Sequence, residues 1–250
     1  MNTKDGVSIL FSGGSDSTLV AAMMCEQFKK VHLLTYFHLG MPLAEKSKIN
    51  AERLANRFGK DKIIHKLINF EELFKRLYYE IYLRDIIKYK GYMTPCFCNA
   101  CQIAMHTNTI LYNIENNIHF ACDGYKREKR HLYIFMAEEG IKETRKFYNE
   151  YHIDYKNPVY NIVRTDWKLF EMGITPKKNV KFPHELVDPS TQHHCKTGII
   201  VNAYLMGYFF PLYGQEASNK ISIKYWREKI EISKRYIREH FNNKHLNLVW

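Results

Sequence analysis

No apolar stretch of this chain is long enough to cross a bilayer. The longest, residues 199–213, is broken by Asn202, Gly207 and Pro211, and a spanning helix needs about 20 mostly apolar residues. The first residues are polar and run into a strand-like segment, without the pattern of a secretory leader. The expectation is a cytoplasmic protein with no membrane partner. Cysteine is sparse, six in 250 residues. In such a protein thiols serve metal, catalysis or packing more often than disulfides. Acidic side chains are in deficit, with 26 Asp and Glu against 37 Lys and Arg, a net charge of +11. That balance favours a polyanion such as RNA, although nucleotide enzymes are often basic too. Repeats and low-complexity tracts are absent. So is the lysine-bearing phosphate loop G-x-x-x-x-G-K-[ST].

What is present begins at residue 7. An apolar run, residues 7–11, reads as a buried strand and leads into Ser12, Gly13, Gly14, Ser15, Asp16 and Ser17. Residues 18–24 then read as a packed helix. Strand, small-residue turn and helix start together make an anion site, because glycine lets backbone N–H groups approach and the helix dipole favours negative charge. Asp16 would repel a bare phosphate and makes sense if Mg²⁺ bridges the two. The loop resembles the SGG-x-DS signature of the PP-loop ATP pyrophosphatases. That resemblance implies ATP cleaved between its α- and β-phosphates, with AMP passed to a substrate oxygen.

The rest of the chain alternates. Strands are expected at residues 31–37, 63–68, 118–125 and 157–163. Helices are expected at 16–28, 44–58, 70–88, from Cys98 through Leu111, 133–151, 167–172, 199–208 and 218–242. Short β–α spacing predicts an α/β fold, a parallel five-stranded sheet with helices on both faces. Residues 1–174 are expected to form the ATP pyrophosphatase domain. Residues 175–250 are expected to form a cysteine-bearing loop and a helical C-terminal extension. In an open parallel sheet, ligands sit at the carboxyl ends of the strands. That places Tyr36, Phe37 and His38 near the ATP, with Phe37 a binding candidate. The resemblance makes Asp123 and Lys126 candidates to hold ATP and metal. The basic run that starts at Lys126 is either a solvated face or a phosphate grip. An apolar stripe at Ile223, Trp226, Ile230, Ile237 and Phe241 gives the last helix a core face.

Cys96, Cys98 and Cys101 lie within six residues, the last two as C-x-x-C at an expected helix start, where a thiol's pKa falls. Cys25 and Cys122 read as core residues. The cysteine run resembles the loop of tRNA 2-thiouridylases and the pair of tRNA 2-thiocytidine synthases, and Cys195 follows at a comparable separation. The resemblance implies sulfur transfer to a tRNA base after adenylation of its carbonyl, with Asp16, Cys98 and Cys195 catalytic. Two sulfur routes stay open. In one, Cys98, Cys101 and Cys195 hold a [4Fe–4S] cluster. In the other, Cys98 and Cys195 act as nucleophile and persulfide carrier. If Cys96 completes a four-thiol set, structural zinc is the alternative. The chain then acts on a small molecule, as 7-cyano-7-deazaguanine synthases or sugar amidotransferases do. A module that binds ATP or RNA without turnover is the rival outside enzymology. A sulfur donor protein or sulfide is the implied partner, and a homodimer is compatible with the sequence.

Overall fold

The computed structural model describes residues 4–39, 44–89, 92–127, 133–175 and 196–243. Five parallel strands form one sheet: β1 (Lys4–Leu10), β2 (Phe28–Phe37), β3 (Ile63–Asn69), β4 (Phe120–Cys122) and β5 (Asp154–Lys156). Their order is β3-β2-β1-β4-β5. β1 is flanked by β2 and β4, with Ile9 opposite Leu33 and Cys122. The chain therefore reverses its direction of travel across the sheet between β1 and β4.

Side-chain alternation divides the core between the two faces of the sheet. Val7, Ile9, Val31, Leu33 and Cys122 face one core with Leu19, Val20 and Leu54. Leu34, Tyr36, Ala121 and Tyr155 face the other, with Ile103, Trp226 and Ile237. The first core lies under helices α1 (Ser15–Cys25), α2 (Ser47–Phe58) and α7 (Thr165–Glu171). The second lies under α3 (Glu71–Phe74), α4 (Tyr82–Tyr89), α5 (Met93–Glu115), α6 (Glu138–Asn149), α8 (Lys196–Tyr204) and α9 (Phe210–Asn243). A sheet covered on both faces needs the near-continuous apolar strands seen in β1 and β2. On α9, which is kinked at Gly214, Trp226, Ile230, Ile237 and Phe241 are buried as expected, and Ile223 is half-buried. Among the described residues no helix is long and apolar enough to cross a membrane.

Three local expectations are corrected. The fifth strand is Asp154–Lys156, and residues 157–163 form turns. Pro158 has no N–H to give a ladder, so Val159 is buried as a plug instead. The helix expected over 70–88 is α3, a π-turn Lys75–Tyr79, and α4. The π-turn brings Phe74 and Tyr78 into a parallel stack at 5.9 Å. The helix expected from residue 133 starts at Glu138, after a 3-10 turn. On α2 the buried face carries Ser47, Asn50, Ala51 and Leu54, while Ile49 is exposed.

α9 is fastened to α4 by a wholly buried ion pair, Lys229 with Asp85. Glu228 beside it accepts from Arg84 and from the Tyr89 hydroxyl, each at 2.6 Å. Truncating one member of a buried pair strands the other's charge. Lys229→Met should therefore cost about 3 kcal/mol or more. Adding Asp85→Leu should recover most of that loss. Urea unfolding of the two single variants and the double variant measures both; single losses that simply add in the double variant would mean the pair is not coupled.

Candidate functional site

The two βα loops that flank the reversal of strand order converge at the carboxyl ends of β1 and β4. A crevice at such a point is where open parallel sheets take ligands. After β1 the chain turns sharply at Gly13, whose φ of +79° lies in the left-handed region that glycine enters without cost. Gly14 precedes α1 in extended conformation, and no side chain caps the helix. The first-turn N–H groups of α1 are thus left to an outside acceptor.

The loop is braced from behind. Ser17 Oγ donates to Gly14 O at 3.2 Å and accepts from Ser12 N–H at 3.3 Å. Gly14 N–H donates to Ser12 Oγ at 3.3 Å. Ser12 and Ser17 therefore hold the turn, and Ser17 is buried. Asn50 on α2 donates from Nδ2 to Gly13 O at 2.7 Å. Across the crevice Gly124 packs on the start of α1 so closely that a Cβ there would lie 2.7 Å from Ser17 N. A cradle that only glycine fits, with serine hydroxyls and amides beside it, suits a phosphate.

The structure brings Asp16 and Lys126 together. Lys126 Nζ lies 3.4 Å from Asp16 Oδ1 and donates to Val163 O at 3.1 Å. The same Oδ1 accepts from the hydroxyl of Thr165, the first residue of α7. Asp16 is 39% exposed. A carboxylate with hydroxyl neighbours is the hard oxygen set that Mg²⁺ takes, so the residues present fit that ion.

Asp123 follows β4 but turns into the protein. Its carboxylate accepts from the Tyr155 hydroxyl, from Asn157 Nδ2 at 2.6 Å and from Tyr125 N–H at 3.0 Å. Burial is the largest influence and pushes its pKa up to about 6, against the pull of those three donors. Beneath it His106, held by burial at about 3 and so neutral, lies 3.1 Å from the Tyr148 hydroxyl. Phe37 ends β2 partly exposed, whereas Tyr36 and His38 are buried. Tyr36 is tied by its hydroxyl to Thr109, and His38 packs on Phe70, Phe74 and Phe97.

The cysteines are divided. Residues three apart share a helix face, and residues two apart do not. Cys98 and Cys101 therefore share a face of α5, and Cys96 points away from Cys98. Cys96 is completely buried. Burial raises its pKa far above that of an ordinary thiol, with Asp85 and Glu228 adding to the rise and Lys229 opposing it. Cys96, the candidate fourth ligand, packs beside Asp85, Glu228 and Lys229 of α4 and α9. Among the described residues no three of His, Cys, Asp and Glu gather as metal ligands. Cys195, like the Pro-rich loop before it and residues 128–132 of the basic run, lies outside the described residues. Cys25 and Cys122 are buried, and burial raises the Cys25 pKa to about 12.

Three residues that shape this site had no place in the sequence reading. Asn50 gave one signal, a lone polar residue at the spacing of a buried face. Thr165 lies just ahead of the expected helix 167–172, and Asn157 within the expected strand 157–163.

Residues 1–107 match the family model for asparagine synthase. Among curated proteins none matches the chain. A solved structure is also similar, that of a predicted subunit of tRNA methyltransferase from Methanocaldococcus jannaschii. It has 21% identity over 66% of this chain and 74% of that one, at a TM-score of 0.38, a likeness too loose to add to the topology.

Asp123 predicts a pH signature. An acid whose pKa is raised by folding adds stability that is fully present below its unfolded value, near 4, and is lost as pH rises through about 6. Asp123→Asn cannot ionise. Its stability relative to the parent should rise by about 2–3 kcal/mol between pH 4 and pH 7, read by urea unfolding at several pH values without divalent metal. A flat difference would show that Asp123 is not the group that titrates.

The turn at Gly13, the uncapped start of α1 and the five-stranded parallel sheet that reverses its order between β1 and β4 make an α/β fold consistent with that of PP-loop enzymes, and the similarity of residues 1–107 to the asparagine synthase family supports ATP-dependent adenylation chemistry.

Proposed function

We propose that the protein adenylates a nucleobase carbonyl in tRNA and replaces its oxygen with sulfur. The observation that carries the adenylation is the start of α1, with open amides and no side-chain cap, faced by Gly124 and flanked by Asp16 and Lys126. The amides and helix dipole hold the phosphates of ATP, and Lys126 adds positive charge beside them. Mg²⁺ held by Asp16 would neutralise charge on the departing pyrophosphate. The acceptor oxygen attacks the α-phosphorus, pyrophosphate leaves, and carbon now carries AMP as its leaving group.

Support for sulfur transfer comes from the shared face of Cys98 and Cys101, and support for an RNA acceptor from the net charge of +11. Cys98 is partly exposed. Its thiolate attacks the outer, sulfane sulfur of a donor protein's persulfide; the donor thiol leaves, and Cys98 carries the persulfide. That sulfur attacks the activated carbon and AMP departs. A second thiol, assigned to Cys195, then attacks Cys98 Sγ. The S–S bond breaks, the base leaves with a C=S group, and a Cys98–Cys195 disulfide remains for a thiol reductant to reopen.

A second reading follows from the asparagine synthase match over residues 1–107. It is an ATP-dependent ligase that forms a C–N bond on a small molecule, with no thiol in the chemistry. The variants separate the two. Asp16→Ala should lower pyrophosphate release about 100-fold or more while the protein stays folded. Cys98→Ala should keep ATP binding and lose thiolated product. Cys98→Ala with full activity on a small acceptor would establish the ligase instead. Iron, zinc and sulfide analysis of protein purified without oxygen adds a check, and stoichiometric zinc would also favour the ligase.

A further inference from the structure

We propose that Thr165 is a positioning residue for Asp16. In this role it holds the carboxylate off its own helix, so that the α1 amides stay open to phosphate and one carboxylate oxygen stays open to a divalent cation. The proposal rests on the ATP reading above and adds to it a control element from the far end of the fold.

Asp16 occupies the first turn of an uncapped helix. An aspartate there has an easy local alternative. It can fold back onto the free N–H groups of its own turn, as short polar side chains do at helix starts. That would spend the donors a phosphate needs. In this structure the carboxylate is engaged elsewhere. Its Oδ1 accepts from Thr165 Oγ1 and lies 3.4 Å from Lys126 Nζ. Among the described residues its other oxygen, Oδ2, has no hydrogen bond.

Thr165 is suited to hold another group still. It is 1% exposed, so its hydroxyl exchanges little with bulk water, and a β-branched side chain is stiff at χ1. Its helix is anchored: Leu169, one turn on, is completely buried in the core that also holds Leu19 and Val20 of α1. The segment just before Thr165 reaches the same place, since Val163 O accepts from Lys126. Residues 163–165 therefore contact both groups that flank the loop, Asp16 from 149 positions away in sequence and Lys126 from 37.

The test uses the full chain, Mn²⁺ as a paramagnetic substitute for Mg²⁺, and α,β-methylene-ATP, which cannot release pyrophosphate. Mn²⁺ binding is followed by electron paramagnetic resonance, and folding by thermal unfolding. Thr165→Val keeps the shape and removes the donor, and should weaken Mn²⁺ binding about tenfold, the scale of one hydrogen bond to a charged group. Thr165→Ser keeps the donor and should stay within about twofold of the parent. If Thr165→Val does not fold, Thr165→Ala carries the same expectation. Parent-like Mn²⁺ affinity in the valine or alanine variant would overturn the proposal. So would a serine variant as weak as valine, since packing and not the hydroxyl would then matter. Asp16→Asn separates the two levels. If it binds Mn²⁺ and the analogue as well as the parent, or if the parent binds neither, the ATP–metal reading of the loop falls as well.

Discussion

A helix that starts without a cap leaves its first N–H groups in search of acceptors. In this protein that constraint governs much of what surrounds α1. The serines after β1 are folded into the loop rather than onto the helix. Gly124 closes over the helix start at a distance no side chain would allow. Asn50 reaches from α2 to the carbonyl of Gly13, which fixes the peptide that precedes the open amides. Each of these arrangements keeps the donors pointed at the crevice between β1 and β4. The positive end of the helix, not any single side chain, sets what the crevice attracts.

The second face of the sheet serves a different end. It carries a thick layer of tyrosines and helices, closed by α9, and several of its buried polar groups are paired across elements distant in sequence. Tyr92 on the lead-in to α5 bonds to Ser222, and Asn99 bonds to the same hydroxyl. Tyr225 donates to the carbonyl of Leu77. The two bonds to Ser222 tie α5 to α9. Of the clustered thiols on α5, Cys96 and Cys101 are buried and Cys98 is partly exposed.

Much of the fold was legible in the sequence because its signals are local. Apolar runs bounded by turn residues gave the strands, and the SGGSDS turn gave the crevice. The errors fell where local pattern and tertiary packing disagree. Residues 157–163 have the composition of a strand, yet Pro158 breaks the ladder and β5 lies just before it. Residues 70–88 have helical periodicity, yet aromatic stacking between Phe74 and Tyr78 accompanies a wider turn. At the site, the loop residues were legible from chemistry, and the contact of Thr165 with Asp16 was not. Nothing within several residues of Thr165 marks it, because its partner is set by topology. Spacing likewise brought the three thiols together without showing that Cys96 and Cys101 are buried and Cys98 is partly exposed.

The thiol-bearing helix and the segment that covers it lie far apart along the chain. During synthesis β1, β2 and β3 can pair as soon as they emerge, and α5 can follow. The outer side of α5 stays uncovered until Ser222, Trp226 and Ile230 arrive, more than a hundred residues later. Contacts of such sequence separation are slow to form. Until they do, the side of α5 that carries Cys96 lacks the cover that α9 and Lys229 give it, and that thiol is open to metals and oxidants before the fold closes over it.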